Sequence, residues 1–146
     1  MRLTMFTDFG MRALMRLAGD PDRGFTTDEI ASQFAISRHH LTKVVRDLAA
    51  AGFVTTQRGA KGGFRLARPA EDITLGEVVR ALESREALVE CFREDGGACV
   101  LTPLCRLQGR LADAREAFLR ELDSTTLAEC AYPHAPRKPT GGAAAA

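Results

Sequence analysis

Between Thr26 and Arg68 the hydrophobic period changes twice, from helix to helix to strand, and that order leaves few folds open. Thr26-Thr27-Asp28-Glu29 is a capping box: the Thr26 hydroxyl can accept from first-turn amides while Glu29 reaches back to the Thr26 amide. Ile30, Ala31 and Phe34 then line one face of a short helix that should end near Ala35. Ser37 is a good N-cap for the next helix, whose apolar residues Leu41, Val44, Val45 and Leu48 follow helical spacing and stop at Gly52. Phe53 to Gln57 and Phe64 to Arg68 have strand composition, and Arg58-Gly59-Ala60-Lys61-Gly62-Gly63 between them is a glycine-rich, basic hairpin tip. Helix, turn, helix, hairpin describes a winged helix-turn-helix, in which one helix enters a DNA groove and the wing reaches the backbone.

The flanking segments extend this unit. Thr7 to Gly19 reads as a first helix, with Phe9, Ala13, Leu14, Leu17 and Ala18 at helical spacing and Pro21 beyond its end. Thr74-Leu75-Gly76-Glu77 is a second capping box, opening a helix with Val78, Val79 and Leu82 inward. The period is lost from Glu90 to Cys99, where Asp95-Gly96-Gly97 marks a turn. Thr102-Pro103 then offers an N-cap and first-position proline for a long helix. Its stripe of Leu104, Leu107, Leu111, Ala114, Phe118 and Leu122 exceeds what the small front core can cover, so it is expected to pair two chains. The expected fold class is mainly α with a small β-hairpin wing. Its expected parts are a DNA-binding domain over 1–84, a cysteine-containing loop over 85–101, a dimerisation helix and C-terminal segment over 102–130, and a disordered tail over 131–146.

Charge agrees with that division. Residues 1–70 carry 11 basic and 6 acidic side chains, a balance of +5, whereas residues 71–146 carry 9 and 13, a balance of −4. From Ile36 to Arg68 seven basic residues meet one acid, Asp47. A basic helix face taken alone is a solvated face, but clustering on this motif points to a polyanion. The expected DNA contacts are Ser37, Arg38, His39, His40 and Lys43 on the third helix and Arg58 and Lys61 on the wing, with Arg46, Arg65 and Arg68 as further donors nearby. His39 and His40 are adjacent, so their side chains diverge by about 100° on a helix and do not share one metal ion. No stretch approaches the ~20 apolar residues of a membrane span. The N-terminus lacks the apolar core and cleavage site of a secretory signal, so a cytoplasmic protein is expected.

In a reducing compartment clustered thiols are metal ligands or redox groups more often than disulfides. Cys91, Cys99 and Cys105 fall within 15 residues at irregular spacing, without the paired knuckles of a structural zinc site. Iron–sulfur clusters tolerate such spacing, while inert packing remains the alternative on chemistry alone. Cys130 stands apart and reads as a half-buried small residue. For Asp8, helix capping beside Thr7 is the default reading. A redox enzyme or cluster carrier would use these thiols chemically, but the sequence has no Cys-x-x-Cys and no nucleophile-plus-base pair, and that role leaves the basic wing without a purpose.

Taken together, Met1-Arg2-Leu3-Thr4, the capped short helix, Ile36-Ser37, the wing from Arg58 to Gly63 and the triple cysteine resemble the Rrf2 family of winged-helix iron–sulfur regulators, over roughly residues 1–130. Phe6 to Leu14, the Cys99-x5-Cys105 pair and Leu122 to Leu127 look most like its nitric-oxide-sensing repressors. That resemblance implies a homodimer on operator DNA and a cluster, 4Fe–4S or alternatively 2Fe–2S, on Cys91, Cys99 and Cys105. It further implies that Asp8, supplied by the partner subunit, is the fourth ligand, with nitric oxide as effector. A rival branch of the family, which reports iron–sulfur status, uses a histidine soon after the third cysteine; here Arg106, Leu107, Gln108 and Gly109 follow.

Overall fold

The structure is a computed structural model describing residues 2–59, 62–83, 87–102 and 104–135. Its first helix, α1 (Met5–Ala18), begins two residues before the expected Thr7 because Thr4 is the cap: its hydroxyl accepts from the Thr7 amide at 3.3 Å. Thr7 is fully buried, and Asp8 pairs with Arg12 at 2.7 Å, so neither caps the helix. Helix α2 (Thr27–Phe34) forms its capping box, with Glu29 N donating to the Thr26 hydroxyl at 3.1 Å and Thr26 N to the Glu29 carboxylate at 2.9 Å. Ala35 then turns the chain in the left-handed region (φ 53°), letting Ile36 N bond Ala31 O at 2.9 Å. Helix α3 (Arg38–Ala50) follows at once. Ser37 holds the N-cap position, but its side chain makes no capping bond, which corrects its expected role as a cap.

Strands β1 (Val54–Gln57) and β2 (Gly63–Leu66) pair antiparallel from Val54 opposite Leu66 to Gln57 opposite Gly63, so each is displaced slightly from the expected span. Phe25 lies along the other edge of β2 and exchanges backbone bonds with Phe64 at 3.0 and 2.8 Å. Gly63 permits this approach, since a Cβ there would stand 2.5 Å from the Phe25 carbonyl oxygen.

Helix α4 (Leu75–Leu82) starts with the second capping box, on Thr74 and Glu77. The long helix α5 (Arg106–Asp123) begins later than the Thr102-Pro103 signal, with Cys105 at its N-cap position. Thr102 N instead closes a loop turn on Cys99 O at 3.3 Å, and Pro103 lies outside the described residues. The apolar stripe is only partly used. Leu119, which the stripe omitted, is the buried residue of α5; Leu111, Phe118 and Leu122 are half-buried, and Leu104 and Leu107 are 90% and 63% exposed.

One core joins these elements: Ala13, Leu14 and Leu17 of α1, Ile30 of α2, Leu41, Val44 and Leu48 of α3, Phe64 of β2 and Val78 of α4, with Phe25, Ile73 and Leu127 between them. Burying each large aliphatic side chain is worth about 1.5–3 kcal/mol, so this set fixes α3 against α1 and the wing. The chain expected to become a tail at 131 is still held there. Tyr132 N donates to Met15 O at 2.8 Å, and Gly19 leaves room for it, since a Cβ on Gly19 would come within 2.3 Å of the Tyr132 carbonyl. Residues 136–146 lie outside the described residues. No helix among the described residues is long and apolar enough to cross a membrane.

Candidate nucleic-acid interface and thiol segment

The buried residues of α3, Leu41, Val44, Val45 and Leu48, leave Arg38, His39, His40, Lys43 and Arg46 exposed, with Ser37 exposed ahead of them. A helix start without a side-chain cap presents first-turn amides and the positive end of the helix dipole, so Ser37 sits where an anion is favoured. The His39 and His40 rings are tilted by 51° with centroids 6.1 Å apart, a splay suited to separate contacts. Of the other cations, Arg46 pairs with Asp47 at 3.1 Å. Arg38 pairs with Asp28, in the first turn of α2, at 2.9 Å, a partner that charge counting along Ile36 to Arg68 missed.

At the wing, Gly59 takes a positive φ of 114° and its carbonyl accepts from Gly62 N at 2.7 Å, closing the hairpin with Arg58 exposed at its base. Lys61 lies outside the described residues. Arg65 is exposed on β2. Arg68 is withdrawn from the suggested DNA contacts because it works inward: it donates to Glu77 at 3.0 Å and to the Asp72 carbonyl, and its guanidinium lies over the Phe53 ring at 5.6 Å. Its donation helps hold the Glu77 carboxyl below its ordinary value, after the Thr74 amide bond that is the largest cause.

The thiols occupy a different end of the chain. Cys91 sits in a single 3-10 turn (Glu90–Phe92), Cys99 in the following loop and Cys105 at the start of α5. All three, and Cys130, are free and half-buried. The donor set fits a thiophilic metal group, because the sulfurs are reduced, solvent-reachable and unclaimed by the core. Among the described residues, however, no three His, Cys, Asp or Glu side chains come together to hold a metal. Asp8, on α1, keeps Arg12 as its partner, with both side chains 45% exposed.

A link between the end of α4 and the start of α1 had no expected counterpart. Thr4 donates both its amide, at 2.7 Å, and its hydroxyl, at 2.8 Å, to the Glu83 carboxylate at the end of α4. Its sequence signal is faint, since Thr4 is followed three residues later by Thr7 and not by the glutamate of a capping box.

A helix-turn-helix with an exposed cationic second helix and a basic two-stranded wing defines a winged-helix regulator of transcription. The model of the Rrf2 family, described as iron-dependent transcriptional regulators, matches residues 3–132. The chain belongs to that family. It is 46% identical over 130 residues to the HTH-type transcriptional regulator NsrR of Geobacillus kaustophilus (strain HTA426), a match covering 88% of each chain. Among solved structures it resembles the oxidised form of Staphylococcus aureus CymR (TM-score 0.67, 28% identity, 88% of this chain and 94% of that one). It likewise resembles IscR of T. potens (TM-score 0.68, 25% identity, 88% and 85%).

Proposed function

We propose that this regulator is a homodimeric repressor that grips operator DNA through α3 and the wing and releases it in response to nitric oxide, sensed at an iron–sulfur cluster. Cys91, Cys99 and Cys105 would hold the cluster, as 4Fe–4S or alternatively 2Fe–2S, with Asp8 of the partner subunit as fourth ligand. The observation that carries this reading is the contrast between the two ends: the cationic DNA-facing surface is built on a closed core, whereas three free thiols lie outside that core. The 46% identity to a protein named NsrR supports nitric oxide as the effector.

When bound, the cluster would supply iron that reacts with small diatomic gases. The chain's own residues do the rest. Thiolates are strong partners for iron and a carboxylate oxygen a weaker one, so Asp8 is the exchangeable position. Arg12, already 2.7 Å from Asp8, competes for the same oxygens and would take up the carboxylate on release. Ser37, Arg38, His39, His40, Lys43, Arg58 and Lys61 would contact DNA, and two copies of α3 about one helical turn apart would read a palindrome. The exposed Val100, Leu101, Leu104 and Leu107 would be covered by the second chain.

The test is anaerobic purification with iron and sulfide quantified, followed by nitric oxide titration watched by absorption and by operator binding. A coloured protein that bleaches and loses DNA together supports the reading; a colourless zinc protein overturns it. Asp8→Ala separates the ligand role from a local ion pair. As a ligand its loss alters the spectrum and the nitric oxide kinetics, while a normal spectrum and normal kinetics return Asp8 to its pairing with Arg12. The likeness to an IscR structure favours iron–sulfur status as a second reading. In that case stripping the cluster without nitric oxide changes DNA binding, and nitric oxide adds nothing beyond the effect of cluster loss.

A further inference from the structure

The groove between α2, α3 and the wing encloses about 320 Å³ and is lined by Asp28, Arg38, Val45, Gln57, Gly63 and Phe64 among others. Its polar anchor is the Asp28–Arg38 pair, in which the Arg38 Nε stands 2.9 Å from the Asp28 carboxylate with side chains 66% and 73% exposed. So open a pair adds little to stability, and the fold does not need it. It also sets a negative charge among the cations that would meet phosphate, which weakens binding to any duplex. A feature that lowers affinity and leaves the fold unaided is accounted for by what it does to the arginine. A free arginine on a flexible stem takes the nearest phosphate. An arginine whose Nε side faces a carboxylate can present its two terminal amines as the fork that matches guanine O6 and N7.

We propose that Asp28 is a specificity-determining positioning residue: its charge pairs with Arg38 on the Nε side, turns the terminal amines toward a guanine edge, and repels phosphate from the same site. The proposal rests on α3 being the DNA-reading helix. It deepens that reading by assigning base recognition to Arg38 and leaving phosphate contact to the cations beside it.

The experiment uses the full chain under anaerobic conditions. Wild type first selects its preferred duplex from a random-sequence library. Dissociation constants are then measured over a salt series for that duplex, for the same duplex with each guanine replaced in turn, and for a scrambled duplex of equal length. Asp28→Asn, which keeps size but removes the charge and turns one acceptor oxygen into a donor amide, should bind the scrambled duplex roughly 3- to 10-fold more tightly, with the salt slope steeper by about one as Arg38 gains a phosphate. Its preference at one guanine should fall by roughly 10-fold or more, while preferences elsewhere persist. Arg38→Lys should lose the same preference, and the double variant should lose no more than Arg38→Lys alone. The inference is overturned if Asp28→Asn raises affinity for every duplex equally with base preference intact, or if it still shifts preference when Arg38 is lysine. Wild type selecting no sequence at all would overturn the reading of α3 itself, and circular dichroism of each variant separates these outcomes from misfolding.

Discussion

Ala35 carries the conformational cost of the turn between α2 and α3. Its φ of 53° and ψ of 40° place a side-chain-bearing residue where glycine is preferred, in return for the 2.9 Å bond from Ile36 N to Ala31 O that aims α3. Ala35→Gly should therefore raise stability by about 0.5–1 kcal/mol, the strain relief outweighing the extra freedom of glycine in the unfolded chain. Chemical denaturation checks it, and an unchanged or lower midpoint would show that Ala35 is unstrained. Arg16 makes the opposite point about what single residues disclose. It is 5% exposed, donates Nε to Gln33 at 3.2 Å, lies over Phe25 at 4.5 Å and leaves Nη1 without a hydrogen-bond partner. Nothing in the local sequence marks it, because a lone arginine on an amphipathic helix is ordinarily solvent-facing. The exposed cations of α3 were legible because burial of Leu41, Val44, Val45 and Leu48 leaves them one face to occupy; Asp28 was not, because its partner is distant in the period.

The short helices share one construction. Thr26–Glu29, Thr74–Glu77 and Thr126–Glu129 each return a glutamate to the threonine amide, at 2.9, 2.8 and 2.8 Å. In the first two, an arginine pairs with that glutamate and lies over a phenylalanine: Arg23 with Glu29 over Phe25, and Arg68 with Glu77 over Phe53. The wing is thus braced on both sides by the starts of neighbouring helices. Amide bonds to the carboxylates, then the arginines, hold Glu29 and Glu77 below their ordinary 4.5. With folded values below unfolded ones, this stabilisation is fully present above pH 4.5 and is lost as pH falls through the lowered folded values. Thermal melts taken from about pH 6 to pH 3 should fall less steeply in Glu29→Gln and Glu77→Gln than in wild type; parallel curves would mean the boxes carry no such linkage. Gly76 fixes α4 on α5 in another way. A Cβ there would lie 2.0 Å from the Asp123 carboxylate that grips Arg80 at 2.6 and 2.7 Å, so Gly76→Ala should cost about 1–3 kcal/mol by displacing that fork. An unshifted melting temperature would show the fork moves freely. These elements were readable because caps and periods are local; the start of α5 was not, since Thr102 carries a valid local cap signal but its amide closes a turn of the cysteine loop on Cys99 instead.

Across the whole molecule, the core was legible and the thiol site was not. Periodicity foretold Leu14, Leu41, Leu48 and Val78, whereas Cys91, Cys99 and Cys105 are free thiols outside the core whose mutual placement no hydrophobic pattern encodes. Thr4 caps α1 and also donates to Glu83 at the end of α4, so the start of α1 is tied to the element that precedes the thiol segment in the chain. Glu83→Ala should leave helix content by circular dichroism unchanged while shrinking the difference in operator affinity between cluster-loaded and cluster-stripped protein. An undiminished difference would remove this tie from the coupling. In mechanical language α1 is a stiff rod of 14 residues, about 21 Å long, clamped at its first turn and bearing sideways on the buried face of α3. A rod so held answers a small displacement of its clamp by pivoting. A pull on Glu83 would reach α3 as a change of pitch, and in the proposed dimer the two copies of that helix would fall out of step with the DNA repeat while every element stayed folded.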